Sequence, residues 1–215
     1  MKVQKYWTLL LLWVAVLWPT ALARLQTQPD TYWQGAGDTP GMADYQIQGR
    51  YLRFSQFPIR VVLVTTVRAD WEEAFHHALA EINVVVPVAE GTNVAEADII
   101  VFVLPARFMP VFSPCDISLT DGCAVIRPLG LPDGEQFRPL GLVWLEAESD
   151  LPHAHLMLHE MIHAMGLLVH SPFPTDVMYD GEDSAVLTLS PRDRATLELL
   201  YGQPTWAVKG DRRAN

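Results

Sequence analysis

Between residues 159 and 171 the chain reads HEMIHAMGLLVHS. His159 and His163 stand four apart, so a helix places their imidazoles one above the other on a single face. Two imidazoles so arranged fill two corners of a tetrahedral site, and zinc is the ion whose ligand preferences match. A catalytic zinc takes a third protein ligand and keeps one position open for water. One helix face cannot supply that third ligand. Gly166 ends the run, and glycine accepts the left-handed backbone at which many helices stop. Beyond it the chain can turn back and present His170. Glu160 adjoins the first ligand. In motifs of this kind its carboxylate reaches the attacking water, takes a proton and later gives it to a leaving amine. The metal supplies the acidity, lowering the pKa of water from about 15.7 to about 7 and polarising the attacked carbonyl.

His159, Glu160, His163, Gly166 and His170, followed by Asp176-Val177-Met178-Tyr179, resemble the signature of the metzincin metallopeptidases, HExxHxxGxxH with a methionine turn. One spacing departs. Position 169 is Val169 and the histidine follows it, giving HExxHxxGxxxH. With HSPFPTDVMY around it, the motif is similar to a matrixin-like bacterial subgroup with one extra residue in that turn. The resemblance implies an α/β, metzincin-like catalytic domain. A twisted, mostly parallel sheet would carry the active-site helix, and a small C-terminal subdomain, 167–203, would hold the methionine turn. It implies a zinc-dependent endopeptidase with His159, His163 and His170 on the metal and Glu160 as general base. Asp176 stands in reserve as third ligand. Met178 would pack beneath the metal without binding it. In astacins and serralysins a tyrosine two residues after that methionine can bind the metal; here the position is Asp180, so no tyrosine ligand is expected.

The same resemblance bears on substrate binding. His155 falls where matrixins line the pocket for the residue after the scissile bond. A histidine there would make the pocket polar or short, or would be a half-exposed residue with no such role. The strand shortly before the active-site helix, 141–146 (GLVWLE), would be the sheet edge that holds an extended peptide; an ordinary interior strand is the alternative. LSPRD…LLYG, from Leu189 to Gly202, is similar to the last helix of matrixin domains. The likeness spans residues 57–203, with its specific motifs confined to 159–203.

Other readings compete. HExxH alone arises by chance on ordinary helices. A gluzincin would recruit a downstream glutamate, Glu182 or Glu198, but would leave Gly166, His170 and Met178 unexplained. A secreted zinc-binding module without catalysis, acting as an interaction protein on the same fold, accounts for the ligands equally well.

The elements that must hold these residues follow from hydrophobic pattern. Arg60–Thr65 and 97–104 are short β-branched runs and read as buried strands. Asp70–Ile82 carries Trp71, Ala74, Phe75, Ala78, Leu79 and Ile82 on one helical stripe, with Asp70 as cap. The active-site helix is expected to begin near Asp150, capped there or at Ser149, with Pro152 in its first turn. Ser190 and Pro191 start a final helix that Gly202 stops. His153 is expected to face solvent, and His76 and His77 have no assigned role. Residues 105–139 are rich in proline and glycine and read as a long loop at the site rim or over it.

Residues 1–23 have the form of a signal peptide. Lys2 and Lys5 precede an apolar run from Tyr6 to Trp18, and Ala21-Leu22-Ala23 offers a cleavage site. Residues 24–56 form an N-terminal arm or linker, 57–203 the metallopeptidase domain and 204–215 a tail. Cleavage would leave 192 of the 215 residues, enough for one domain with a substantial core. It removes two lysines, so the net charge moves from −10 to −12. Such an acidic chain is a poor partner for nucleic acid or anionic membrane. A secreted or periplasmic monomer acting on protein or peptide, with no stable membrane association after cleavage, is expected. In an oxidising compartment Cys115 and Cys123 could close a small disulfide loop; buried free thiols are the alternative.

Overall fold

The computed structural model describes residues 46–47, 50–65, 69–115, 121–130, 137–181 and 185–203. The expected signal segment, most of the arm and the tail lie outside them. Two short strands, β1 (Gln46–Ile47) and β2 (Arg50–Tyr51), pair antiparallel. The main sheet contains β3 (Ile59–Thr65), β4 (Val88–Glu90), β5 (Ile99–Leu104), β6 (Gly122–Gly130) and β7 (Phe137–Glu146), in the order β4-β3-β5-β7-β6. All its pairings are parallel except that of β6 with β7. The helices are α1 (Ala69–Asn83), the single turn α2 (Met109–Phe112), α3 (His153–Ala164) and α4 (Pro191–Gly202).

The runs of β-branched residues form the interior strands because both faces of the sheet are apolar. Ile59, Val61, Ile99, Val101, Val103, Val143 and Leu145 point into the main core with α1 and α3. Val62, Ile100, Phe102 and Leu142 point to the opposite face. On α1, Trp71, Ala74, Phe75, Ala78 and Ile82 are buried, and Leu79 packs half-buried against the same core. Each large side chain in that stripe contributes about 1.5–3 kcal/mol by leaving water. Tyr51, Leu52 and Phe54 also join the core.

Two glycines let the layers close on the site. A Cβ at Gly141 of β7 would lie 2.7 Å from the Ala164 carbonyl oxygen at the end of α3. Gly166 has φ +107°, and a Cβ there would lie 2.6 Å from the Leu52 carbonyl oxygen. α4 braces that turn, since the Tyr201 hydroxyl donates to the Met165 carbonyl at 3.1 Å.

Two expectations are corrected, and of the two readings of 141–146 the interior strand holds. Residues 105–139 are not one long loop. They contain α2, all of β6 and the first part of β7, which runs from Phe137 rather than Gly141. The segment 141–146 is interior, paired with β5 on one side and β6 on the other, so the sheet edge beside α3 is β6. The start of α3 lies at His153, with Pro152 at the cap position and no side-chain cap. Ser149 instead donates to Asp121 at 2.6 Å and accepts from the Leu151 N–H at 3.1 Å. Cys115 and Cys123 form a disulfide. Among the described residues no helix is long and apolar enough to cross a membrane.

Candidate metal centre

α3 is nearly all buried, so its two motif histidines project from a helix that packing holds still. His159 and His163 are each 8% exposed. Gly166 turns the chain, and the next residues bring His170 to the same point. One ligand atom from each of the three histidines lies within 4.8 Å of the others. His163 Nε2 is 3.1 Å from His159 Nε2 and 3.0 Å from His170 Nε2.

The outer nitrogens explain what those short distances mean. His159 Nδ1 lies 2.8 Å from the Val177 carbonyl, and His163 Nδ1 lies 2.7 Å from the Leu167 carbonyl. A carbonyl only accepts, so each Nδ1 carries the proton and donates it. A neutral imidazole with Nδ1–H has a bare lone pair on Nε2. His170 Nδ1 lies 3.6 Å from an Asp180 carboxylate oxygen, which favours the same tautomer. The bare lone pairs of His159 and His163 therefore face each other at 3.1 Å, an arrangement that repels unless a cation sits between them, and His170 Nε2 joins them at the same point. Zinc–nitrogen bonds of about 2.0–2.1 Å at tetrahedral angles place nitrogens about 3.3 Å apart, close to the spacing seen. Three neutral imidazoles suit zinc, and also other borderline divalent ions.

The surroundings keep the ligands neutral. Burial pushes the His159 imidazole down to about 4, against a partial opposing effect of its bond to Val177. Burial, then the neighbouring His159 and His170, hold His163 well below the ordinary histidine value. Protons therefore compete poorly with a metal at these two nitrogens.

Glu160 follows His159 on α3 and is buried. Its carboxyl is pushed up to about 8, first by burial and then by the charge of Asp180. It lies against the start of the edge strand, where a Cβ at Gly122 would fall 2.8 Å from both Cγ and Oε1 of Glu160. A raised carboxyl beside a cation site is a group able to accept and return a proton near neutral pH.

The segment after His170 is a scaffold for the ligands. The Ser171 N–H donates to the Met178 carbonyl at 2.7 Å. Met178 itself is fully buried in the core. Asp193 opens α4 in a reciprocal capping arrangement with Ser190 and also accepts from the Val177 N–H at 3.0 Å. The residue whose carbonyl orients His159 is thus tied to α4 through its N–H. Asp176, the reserve ligand, is not part of the cluster. It is fully buried, accepts from the Ser171 hydroxyl at 2.5 Å and pairs with Arg192 at 2.8 Å. Its charge is consumed by those partners.

Other expected residues fall in varied places. His155 is buried, with Nδ1 2.8 Å from the Val186 carbonyl, and burial lowers its pKa. Its ring centroid lies 5.7 Å from that of His159. Glu198 is exposed on α4 and outside the cluster, and Glu182 lies outside the described residues. His153 is not solvent-facing, because its ring stacks 3.9 Å from that of Trp71. Sequence reasoning missed Gly122 and the Val177 carbonyl, which only tertiary packing brings to the site, and the Leu167 carbonyl, which the Gly166 turn places beside His163. It also left Asp180 and Asp193 without a role. Asp193 had a local signal, since S-P-R-D places an acid three residues after a cap.

The chain matches no protein-family model and no curated protein.

Proposed function

We propose that the protein is a secreted zinc-dependent endopeptidase of metzincin, matrixin-like type. The observation that carries this reading is the convergence of three imidazole nitrogens beside a buried, proton-accepting Glu160. His159, His163 and His170 would hold the zinc. Bound there, zinc supplies Lewis acidity to a water and to the scissile carbonyl. Glu160 takes the proton from the attacking water on its carboxylate and passes it to the leaving amine nitrogen.

β6 supplies a place for the peptide. The Glu146 N–H donates to the Asp121 carbonyl at 2.9 Å, in register with the β6–β7 ladder. Bonded pairs alternate along an antiparallel ladder, so Cys123, Val125 and Arg127 direct their backbone groups to β7. Ala124 and Ile126 direct theirs outward from the edge, toward an added strand. Pro128 has no N–H, which ends the outward row of donors there. An extended substrate on this edge would pass Gly122, which touches Glu160. His155, held to Val186 beside His159, would shape the pocket next to the scissile bond.

The test is joint measurement of metal and hydrolysis on the chain from residue 24 onward. About one zinc per chain with cleavage of an unstructured protein supports the reading. Zinc without cleavage moves the assignment to the binding module.

A further inference from the structure

Asp180 is absent from the motif, yet its position is set by the same backbone that sets His170. Ser171 and Tyr179 form an isolated parallel bridge, which ties the segment just after His170 to the segment that carries Asp180. The turn between them is fixed from inside. The Tyr179 N–H donates to the Asp176 carbonyl at 3.2 Å, and the Asp176 carboxylate holds Ser171 and Arg192. Directly after Asp180 the Tyr179 ring lies where a side chain at Gly181 would project, so the chain there is held close to that ring. His170 and Asp180 are thus delivered to each other by a buried framework, although both are exposed, at 40% and 75% of their side chains.

The three histidines differ in what holds the nitrogen facing away from the cluster. His159 and His163 each meet a neutral backbone carbonyl. His170 meets the Asp180 carboxylate, at 3.6 Å. That is too long for a formed hydrogen bond and short enough for an ion-pair contact. A histidine that shares its Nε2 lone pair with a cation makes its Nδ1–H more acidic and draws a facing carboxylate closer.

Building on the three-histidine reading above, we propose that Asp180 is the positioning residue of the third ligand. Its carboxylate fixes the Nδ1–H tautomer of His170, aims the Nε2 lone pair at the cluster and raises the donor strength of that nitrogen. It also places one negative charge against a site otherwise built from neutral imidazoles. His170 needs this more than its two neighbours, because it is the exposed ligand and sits on a turn rather than on a packed helix.

The experiment is a zinc-affinity series on the mature chain, read by competition with a chromophoric chelator. The variants are Asp180→Asn, Asp180→Glu, His170→Ala and the double variant His170→Ala/Asp180→Asn. Asp180→Asn is expected to weaken zinc binding about 10-fold, the low end for a ligand's outer partner, because the pair is exposed and screened. Asp180→Glu recovers most of that loss. In the His170→Ala background the Asp180→Asn change alters affinity less than about twofold, since a residue acting through His170 has nothing left to act on. Cobalt placed in the site reports the same change as altered visible bands in Asp180→Asn. Asp180→Asn within twofold of the parent overturns the proposal. An equal loss in both backgrounds overturns it too, because the charge would then act as a general field. A failure of the peptidase reading is a separate result, seen as zinc bound without hydrolysis in the parent.

Discussion

Replacing Gly122 by alanine should disable Glu160 while leaving the metal in place. The added Cβ would lie 2.8 Å from Cγ and Oε1 of Glu160 and 2.9 Å from Cδ1 of Leu156. Carbon contacts settle at about 3.5–4.0 Å, so these groups must withdraw by roughly 1 Å. Both belong to side chains that can rotate, and the cost to folding is therefore small, about 1 kcal/mol. The cost to catalysis is not small. A misplacement of about 1 Å in a reacting group costs on the order of 100-fold. That corresponds to about 2.7 kcal/mol in the barrier. His159, His163 and His170 are not among the atoms crowded, so zinc content and affinity should match the parent. Gly202→Ala serves as the control, because a Cβ there meets nothing within 4 Å. The assay is kcat/KM on an unstructured fluorogenic peptide, with zinc content and Tm measured on the same samples. Activity of Gly122→Ala within threefold of the parent, with zinc unchanged, would refute the claim that Glu160 works where β6 confines it.

Further tests address the proton carrier, the turn and the charge balance of the site. Glu160→Gln should keep about one zinc per chain and lose 100- to 10,000-fold in turnover, read by steady-state hydrolysis; full activity would remove Glu160 from the mechanism. Gly166→Ala combines a positive φ with a collision against the Leu52 carbonyl. It should cost about 3 kcal/mol, a fall of roughly 6–12 °C in Tm by calorimetry, and an unchanged Tm would contradict the turn's role. The zinc-free protein should be most stable near pH 6.5. His159, at about 4, and His163, also depressed, bind fewer protons folded than unfolded, so stability is lost as pH falls below 6.5. Glu160, raised to about 8, acts oppositely, and stability is lost as pH rises from about 4.5 through 8. Tm of chelator-treated protein between pH 4.5 and 8.5 should therefore pass through a maximum, and a steady rise across the range would show that Glu160 is not buried as described.

What could be read from the sequence was what is local. Helical spacing placed Trp71, Ala74, Phe75, Ala78, Leu79 and Ile82 on one face, and the structure buries all of them but Leu79, which is half-buried. The same logic set His159 above His163, and Gly166 has the positive φ that its position after the motif called for. His170 joins the cluster in spite of its extra residue. Strand order was not legible, because which strand lies at an edge depends on partners far away in the chain. β6 escaped notice altogether. Two glycines and Pro128 read as loop, and apolar residues on both faces, Ile126 on one and Cys123 on the other, hide any alternation. Asp176 shows the limit for single residues. Its spacing suited a metal ligand, but Arg192, sixteen residues on, is what it meets. The burial of Tyr51, Leu52 and Phe54 likewise depends on packing against the distant Gly166 turn, through contacts such as that of Leu52.

The claim on which the rest depends is that three histidines, including the displaced one, make a single hydrolytic zinc centre. Zinc content and proteolysis measured together on the chain from residue 24 onward and on His170→Ala test it directly. The parent should bind about one zinc per chain and cleave an unstructured protein, with activity gone and zinc affinity sharply lower in the variant. A variant that keeps its zinc and cleaves at the parent's rate would contradict it.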